Sequence, residues 1–289
     1  MTNILDYDTL VLPGGGIKGF SLLGAVQSAL DMGYLKNIKI YIGTSVGSII
    51  CYLLAIGYTP IEIIVVLYTT KWLENMQYFN LVDMINGNGA TTFTKLSEFL
   101  EKLTINKIGR FLTLGKLKEL FGKTLICVSY NITTCVTEYI GPENYPDLPC
   151  ITALRMSCNI PLIFERFKYM DNYYIDGGIT DNFPILKAEE LGNHIFAIHL
   201  QIEENTLKDE PEEGTISYFI KLLQIPMIQL TKHNIALSTN KSFIVPINTG
   251  NFKNVIDFNI NSKTQLELFS IGYKNVKDFI SSTSQPSVV

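Results

Sequence analysis

The sequence predicts an α/β fold organised around a mostly parallel β-sheet. Two strand-to-helix units follow one another near its start. The apolar stretch 9–12 leads through a glycine loop into a helical pattern that ends at Gly33, and the stretch 38–42 leads through a tight turn into the apolar run 49–56. Because parallel strands need crossover connections, usually helices, this alternation favours a parallel sheet with helices packed on it.

The remaining elements follow from hydrophobic periodicity and from turn residues. Pro60 stands where the first turn of a helix tolerates proline, and Gly192 follows a short helical pattern that it would end. Because an internal proline removes a backbone hydrogen bond, we expect Pro161 to end one helix and Pro226 to interrupt another. Helices are predicted over 59–85 together with its connection, 92–103, 114–121, 151–156, 186–191, 216–237 and about 266–279, and strands over 125–130, 134–139, 164–169, 173–175, 194–200 and 243–247.

Composition excludes several classes of protein. Of the 289 residues 47% are hydrophobic and 17% are charged, which is enough apolar material for a sizeable core. A net charge of −4 without a basic block gives no reason to expect nucleic acid, so any membrane contact would be mainly hydrophobic. Five cysteines without C-x-x-C spacing argue against a disulfide framework and a zinc site and indicate a reducing compartment.

The chain shows no sign of export or of a membrane span. Its first residues are acidic and lack the apolar core of a secretory signal, and no apolar run reaches the ~20 residues that cross a bilayer. We therefore expect a cytoplasmic protein that can be peripheral to membranes. The stretch 203–213 carries five glutamates and marks a solvated loop, which divides the chain into a core over 1–202 and a C-terminal extension over 203–289 that packs on the same domain.

The pentapeptide Gly43-Thr44-Ser45-Val46-Gly47 lies between a predicted strand and a predicted helix. Such a turn can hold Ser45 in a strained conformation and expose its hydroxyl at the helix N-terminus, where the dipole favours developing negative charge. Ser45 is therefore a candidate nucleophile. The alternative is an ordinary tight turn between a strand and a helix.

The glycine loop after the first strand includes Gly14, Gly15 and Gly16. Glycine N–H groups can approach an anion closely, and the following helix adds its positive end. A dinucleotide site would need an acidic residue about 20 positions further on, where Ser45 stands instead, since Asp31 comes too early. We therefore favour an oxyanion hole, with a ligand-free turn as the alternative.

A carboxylate follows the aromatic stretch 173–175. Asp176 is succeeded by Gly177 and Gly178, so the sequence presents this carboxylate on a bend that backbone can approach closely. Asp176 is the strongest candidate for a general base. The alternative is a plain Asp-Gly hairpin turn.

The three motifs GGGIKG at 14–19, GTSVG at 43–47 and DGG at 176–178, in this order, resemble those of the patatin-like phospholipase family. The stretches 153–164, 181–184 and 271–273 are also similar to segments of that family. The resemblance implies a three-layer α/β/α fold with a central, mostly parallel sheet. It also implies hydrolysis of acyl esters in phospholipids, lysophospholipids or neutral lipids, without a metal or other cofactor.

The resemblance further implies a role for each matching residue. Ser45 would be the nucleophile and Asp176 the base of a Ser–Asp dyad. The oxyanion would be held by N–H groups of the glycine loop and of Val46. The matching motif residues are Gly14, Gly15, Gly16, Lys18, Gly19, Gly43, Gly47, Gly177 and Gly178.

Other readings stay open at this level. A Ser-Asp-His triad could use His194 or His199, which follow Asp176, and His233 is the third histidine of the chain. The same fold could also serve as a non-catalytic lipid-binding module. The predicted helix within 59–85 is assigned to the core, with an acyl-chain wall or a membrane-facing cap as the alternative. The expected partners are a lipid substrate and, transiently, a membrane surface, and the oligomeric state stays open.

Overall fold

A computed structural model describes residues 6–70, 89–201, 215–250 and 260–283 of the chain. In the described residues eight strands form one sheet: β1 (Thr9–Leu12), β2 (Ile40–Thr44), β3 (Thr124–Asn131), β4 (Val136–Ile140), β5 (Phe167–Tyr169), β6 (Asn172–Asp176), β7 (Ile195–Gln201) and β8 (Ser242–Asn248). The helices are α1 (Gly19–Asp31), α2 (Val46–Ala55), α3 (Pro60–Thr70), α4 (Thr94–Ile108), α5 (Leu114–Phe121), α6 (Cys150–Ser157), α7 (Gly178–Asp181), α8 (Ile185–Leu191), α9 (Thr215–Leu237) and α10 (Ser262–Thr283), with a short 3₁₀ turn at Gly16–Lys18.

The sheet has the strand order β5-β6-β3-β2-β1-β7-β8, and β4 pairs with β3 outside this path. Strands β3, β2, β1, β7 and β8 run parallel, whereas β4, β5 and β6 pair antiparallel on the β3 side. In the register of the two central strands Leu12 lies opposite Gly43. The glycine loop and the Ser45 turn therefore leave the same edge of the sheet.

Helices cover both faces of the sheet because its central strands are apolar on both sides. In β1 the side chains of Leu10 and Leu12 belong to the large core cluster, which they share with buried residues of α1 and α2. Val11 points to the opposite face and belongs to a second cluster with Phe183 and Ile185. Alternate side chains of a strand point to opposite faces, so these two clusters make a three-layer α/β/α arrangement.

The C-terminal part of the chain adds to the same sheet and helix layer. Strand β8 pairs in parallel with β7, and α10 packs along α1. At this crossing a Cβ on Gly272 would overlap the carbonyl oxygen of Ser21, and one on Gly24 would overlap the carbonyl oxygen of Phe269. The two helices therefore approach to backbone contact.

The structure corrects one expectation from the sequence and describes only part of another. Pro226 does not interrupt its helix, since α9 is continuous over Thr215–Leu237 with the proline inside. Pro226 is exposed, so the carbonyl that loses its intrahelical donor can reach water. The helix predicted within 59–85 is described over Pro60–Thr70 only, and the rest of that stretch, the acidic loop 203–213 and the end of the tail lie outside the described residues.

Among the described helices none is by itself long and apolar enough to cross a bilayer. Helices α2 and α3 would satisfy length and composition only as a pair, and they are bent by 116° where they meet.

Candidate active site

The Ser45 turn joins β2 directly to α2 and holds the serine in a strained backbone conformation. Its φ is 53° and its ψ is −127°, a region that residues with a side chain seldom occupy. A Cβ on Gly47 would overlap the carbonyl oxygen of Leu12, so the turn needs glycine there. The strained strand-to-helix turn predicted from the pentapeptide is confirmed.

A buried hydrogen-bond chain fixes the backbone of this turn. The Ser45 N–H donates to Ser157 Oγ over 3.0 Å, and the Ser157 hydroxyl donates to the carbonyl of Val128 over 2.6 Å. Ser157 is the last residue of α6, and Val128 lies in β3. Helix α6 and strand β3 thus set the conformation that aims the Ser45 side chain.

Asp176 ends β6 and reaches Ser45 through the sheet. Strand β6 pairs with β3 so that Asp176 lies opposite Ser129, and β3 in turn pairs with β2. Ser45 and Asp176 line the same cavity, and the Asp176 carboxylate accepts the Gly178 N–H at 2.7 Å. The sheet therefore brings together the two side chains that the sequence singles out.

The Asp176 carboxylate is almost fully enclosed, with 6% of the residue exposed. Desolvation raises the pKa of Asp176 from 3.8 to about 6, although the hydrogen bonds from Ser45 and from the Gly178 N–H oppose the rise. A carboxylate with this pKa is a stronger base than an exposed aspartate and is still ionised at neutral pH.

The glycine loop is clamped beside Ser45 by one residue of the segment after α7. The Gly14 N–H donates to the backbone carbonyl of Asn182 over 3.3 Å, and the Asn182 side-chain amide donates back to the Gly14 carbonyl over 3.2 Å. Among the described residues no acceptor takes the N–H of Gly15, Gly16 or Val46. Those three groups are the ones that a ligand oxygen can use.

Two cavities meet at Ser45. The first, of about 140 Å³, is almost entirely apolar and is walled by α1, α2, α3 and α4. The second, of about 120 Å³, contains Ser45, Asp176 and the glycine loop, and α9 closes its far side. Both cavities include Ser45, Gly16 and Ile160 in their walls. Ser45 therefore lies where the first, apolar cavity adjoins the second, mixed cavity, which has polar and apolar walls.

A comparison with known protein families matches residues 10–188 to the family described as patatin-like phospholipase. The matched stretch covers more than half of the chain and contains the glycine loop, Ser45 and Asp176. The chain belongs to this family. The family expected from the three sequence motifs is therefore confirmed.

Two of the curated relatives of this patatin-like chain are viral proteins. It is 39% identical over 182 residues to a probable lipid hydrolase, 463L, of Invertebrate iridescent virus 6, an alignment that covers 62% of each chain. It is 30% identical over 282 residues to the uncharacterized protein R571 of Acanthamoeba polyphaga mimivirus, covering 94% of this chain and 93% of that one. The chain thus matches somewhat less than two thirds of the first relative and nearly all of the second.

Among solved structures the patatin-like chain is similar to VipD from Legionella pneumophila. The TM-score is 0.59 at 19% identity, over 96% of this chain and 67% of that one. At that identity the likeness shows the fold. It agrees with the three-layer α/β/α architecture expected from the sequence.

The other motif residues of the patatin-like chain lie in the elements around Ser45 and Asp176. Gly43 is the next-to-last residue of β2, Gly19 begins α1, and Gly177 and Gly178 lead from Asp176 into α7. Lys18 is buried and lines the second cavity, and desolvation lowers the pKa of its ammonium group. Lys18 therefore contributes to the same cavity wall as Ser45 and Asp176.

The structure does not bring a histidine to Ser45. Neither cavity at Ser45 has a histidine among the described residues that line it. His194 is exposed next to the first residue of β7, at the opposite end of the sheet from the Ser45 turn, and His233 is exposed on α9. His199 lies against Phe183, with ring centroids 5.3 Å apart, and lines a third cavity.

Sequence reasoning missed three residues that hold the site together. Ser157 accepts the Ser45 N–H, Asn182 clamps Gly14, and the Asn159 carbonyl accepts the Asp176 N–H at 2.9 Å. All three lie in the stretches 153–164 and 181–184 that resemble the family, where polar residues stand between buried apolar ones. Polar residues in such a setting indicate buried hydrogen bonds, but the sequence does not show which groups they bond.

Proposed function

We propose that the protein hydrolyses fatty acyl esters of phospholipids or lysophospholipids, with Ser45 as nucleophile and Asp176 as general base. The observation that carries this proposal is that Ser45 and the buried Asp176 line one cavity, close enough for the Ser45 side chain to lower the pKa of Asp176, where that cavity adjoins an apolar one. Membership of the patatin-like phospholipase family and the likeness to a probable lipid hydrolase support hydrolysis of lipid esters.

In the proposed reaction the hydroxyl oxygen of Ser45 attacks the ester carbonyl, and Asp176 accepts the proton of that hydroxyl. The oxyanion of the tetrahedral intermediate takes the N–H groups of Gly15, Gly16 and Val46. The Gly14 N–H, already bonded to Asn182, instead fixes the loop. The protonated Asp176 then gives its proton to the leaving alcohol, and a water molecule, deprotonated by the same carboxylate, releases the fatty acid.

The two cavities divide the substrate between them. The apolar cavity suits a fatty acyl chain, because burial of each methylene contributes about 0.8 kcal/mol. The mixed cavity contains Lys18, whose ammonium group would pair with a phosphate on the alcohol side of the ester. This pairing favours phospholipids and lysophospholipids over neutral lipids.

Transient contact with a lipid surface is part of the proposal. Helices α3 and α9 line the cavities with one face and expose apolar side chains on the other. Helix α9 contains two lysines and no acidic residue, in a chain of net charge −4, which suits anionic lipids. The exposed apolar side chains are Ile61, Val65 and Tyr68 on α3 and Tyr218, Leu222 and Ile225 on α9.

Active-site labelling and product analysis test the proposal together. A fluorophosphonate probe should label the wild-type protein, and it should label Asp176→Asn weakly or not at all. Mass spectrometry after incubation with mixed phospholipids, lysophospholipids and triacylglycerols should show that the wild type releases fatty acid. Ser45→Ala should lose both signals. Ser282→Ala, at an exposed serine of α10, is the matched control that should keep both. Fatty acid release by folded Ser45→Ala at the wild-type rate would refute the assignment.

A further inference from the structure

A buried ion pair, which the proposed reaction does not use, joins helix α6 to the segment that leads into α4. The side chain of Arg155, on α6, is 7% exposed, and its Nη2 group donates to Glu165 Oε1 over 2.8 Å and to the Glu165 carbonyl over 3.0 Å. The Glu165 carboxylate also accepts the N–H of Phe93, which directly precedes α4, at 3.2 Å. One carboxylate therefore connects a cation of α6 with the N-terminus of α4, where the helix dipole favours negative charge.

Aromatic rings pack on the Arg155 guanidinium group. Its central carbon lies 4.4 Å from the ring centroid of Phe93, 5.2 Å from that of Phe167 and 5.7 Å from that of Phe164. Burial lowers the pKa of Arg155 to about 10, against the opposing effect of Glu165, so the side chain keeps its charge at neutral pH. A planar guanidinium can stack on rings and bond a carboxylate at the same time, which a lysine ammonium does less well.

The segment before α4 is also hydrogen-bonded to the segment after α6. The Ala90 N–H donates to the Leu162 carbonyl over 2.8 Å. The Thr91 N–H donates to the Ile163 carbonyl over the same distance of 2.8 Å. The ion pair therefore lies beside a backbone junction, at the point where the chain enters α4.

Helix α4 forms part of the wall of the apolar cavity that Ser45 also lines. Phe164 lines the same cavity, and its ring packs edge to face on Phe93 with centroids 5.0 Å apart. A shift of α4 against α6 would therefore change the space available along an acyl chain. The side chains of α4 that line the cavity are Leu96, Phe99 and Leu100.

Helix α6 holds the nucleophile as well, because Ser157 accepts the Ser45 N–H at 3.0 Å. We infer that Arg155 is a positioning residue that aligns the α4 wall of the apolar cavity with Ser45 and thereby sets how well the enzyme holds long acyl chains. This inference rests on the proposed hydrolysis at Ser45. It extends that proposal by assigning acyl-chain specificity to an ion pair outside the described lining of the cavity.

Esters of different chain length separate this role from a general loss of stability. Arg155→Met should lower kcat/KM for p-nitrophenyl decanoate by about tenfold, mainly through KM, which corresponds to the lost burial of one or two methylene groups. The value for p-nitrophenyl butyrate should stay within about twofold of the wild type, because a short chain needs less of the wall. Arg155→Lys should restore part of the loss. Arg110→Met, at an exposed arginine, is the matched control that should keep both values.

Two further variants show whether the effect follows the proposed connection. Glu165→Ala should lower the decanoate-to-butyrate ratio as well, and it decides the test if Arg155→Met does not fold, since the Glu165 side chain is 36% exposed. The double variant should be no worse than Arg155→Met, because both changes remove the same connection. Ser157→Ala, which removes the acceptor of the Ser45 N–H, should instead lower kcat for both esters by the same factor.

A binding measurement makes the result independent of catalysis. Ser45→Ala protein should bind cis-parinaric acid, a fluorescent long-chain fatty acid, and Arg155→Met or Glu165→Ala in that background should weaken this binding by about tenfold. An equal loss of decanoate and butyrate hydrolysis in the folded variants, or unchanged parinaric acid binding, would overturn the inference. If the wild type hydrolyses no ester and takes no fluorophosphonate while parinaric acid binding still depends on Arg155, the proposed reaction fails and the positioning role stands.

Discussion

Gly14 and Asn182 hold each other through two hydrogen bonds that run in opposite directions. The Gly14 N–H donates to the Asn182 carbonyl at 3.3 Å, and the Asn182 amide donates to the Gly14 carbonyl at 3.2 Å. The pair joins the loop after β1 to the segment after α7, 168 residues further along the chain. Since Asp176 lies six residues before Asn182, the clamp fixes the proposed oxyanion donors relative to the proposed base.

We expect Asn182→Ala to lower kcat for every ester substrate by about 10²-fold, because loss of one preorganised oxyanion contact has that effect and the loop would no longer be held in place. One neutral hydrogen bond contributes only about 1 kcal/mol to folding, so the protein should stay folded. Steady-state kinetics and a thermal melt check both statements. Asn240→Ala, at an exposed turn, should match the wild type, and an unchanged kcat in folded Asn182→Ala would argue against the clamp.

The pH dependence of the reaction should report the Asp176 carboxylate. Because a general base acts in its ionised form and the pKa of Asp176 is raised to about 6, kcat/KM should rise with pH through about 6 and level off above it. Measuring hydrolysis of a soluble ester between pH 4 and pH 8 gives the profile. A rate that is already at its plateau at pH 4.5 would contradict a desolvated base.

The raised pKa of Asp176 also predicts that this residue lowers the free energy of unfolding at alkaline pH while it supports activity. A carboxyl whose pKa is higher in the folded than in the unfolded chain favours folding below the unfolded value of 3.8, and this contribution is lost as the pH rises through about 6. Asp176→Asn removes the buried charge, so it should raise the free energy of unfolding at pH 8 by up to about 3 kcal/mol while it abolishes hydrolysis. Denaturant unfolding at pH 8 and at pH 4 should show the gain only at the higher pH. A loss of stability at pH 8 would contradict the argument.

Local sequence patterns predicted the Ser45 turn because everything it needs is adjacent in the chain. Gly47 permits the close approach to β1, and the strand and helix on either side are strong signals. The Ser157 contact joins residues 112 positions apart, and the Gly14 clamp joins residues 168 apart. No local pattern encodes such pairs, since they depend on β3 and α6 packing beside β2.

At Pro226 a local sequence rule predicted the wrong structure. An internal proline disfavours a helix, yet α9 continues through it. Contacts along the helix hold it in place: the Asn234 amide donates to Asp181 Oδ1 at 3.2 Å, and α9 packs against α7 and α8. Tertiary packing of this kind outweighs the local cost of the proline.

Val65 offers a direct test of surface docking. Val65→Glu places a charge on the exposed face of α3, so it should weaken binding to anionic vesicles and slow hydrolysis of vesicle lipids while leaving hydrolysis of a dissolved short-chain ester unchanged. Val136→Glu is the matched control, because Val136 on β4 is 52% exposed and Val65 is 51% exposed. Vesicle sedimentation and the two rate assays measure the effects. Equal behaviour of the two variants on vesicles would count against α3 as a docking face.

Leu53 should set the length of acyl chain that the apolar cavity accepts. It lines that cavity eight residues beyond Ser45 on α2, a distance of about 12 Å along the helix axis. Leu53→Phe should therefore lower kcat/KM for long-chain esters while short-chain esters keep most of theirs, and Leu53→Ala should shift the preference toward longer chains. A series of p-nitrophenyl esters of increasing chain length gives the profile for each variant. Leu54→Phe, at the neighbouring position that does not line the cavity, separates this effect from general overpacking of α2, which typically costs about 1–3 kcal/mol. If Leu53→Phe lowered the rates for short and long chains by the same factor, the cavity would not be the acyl site.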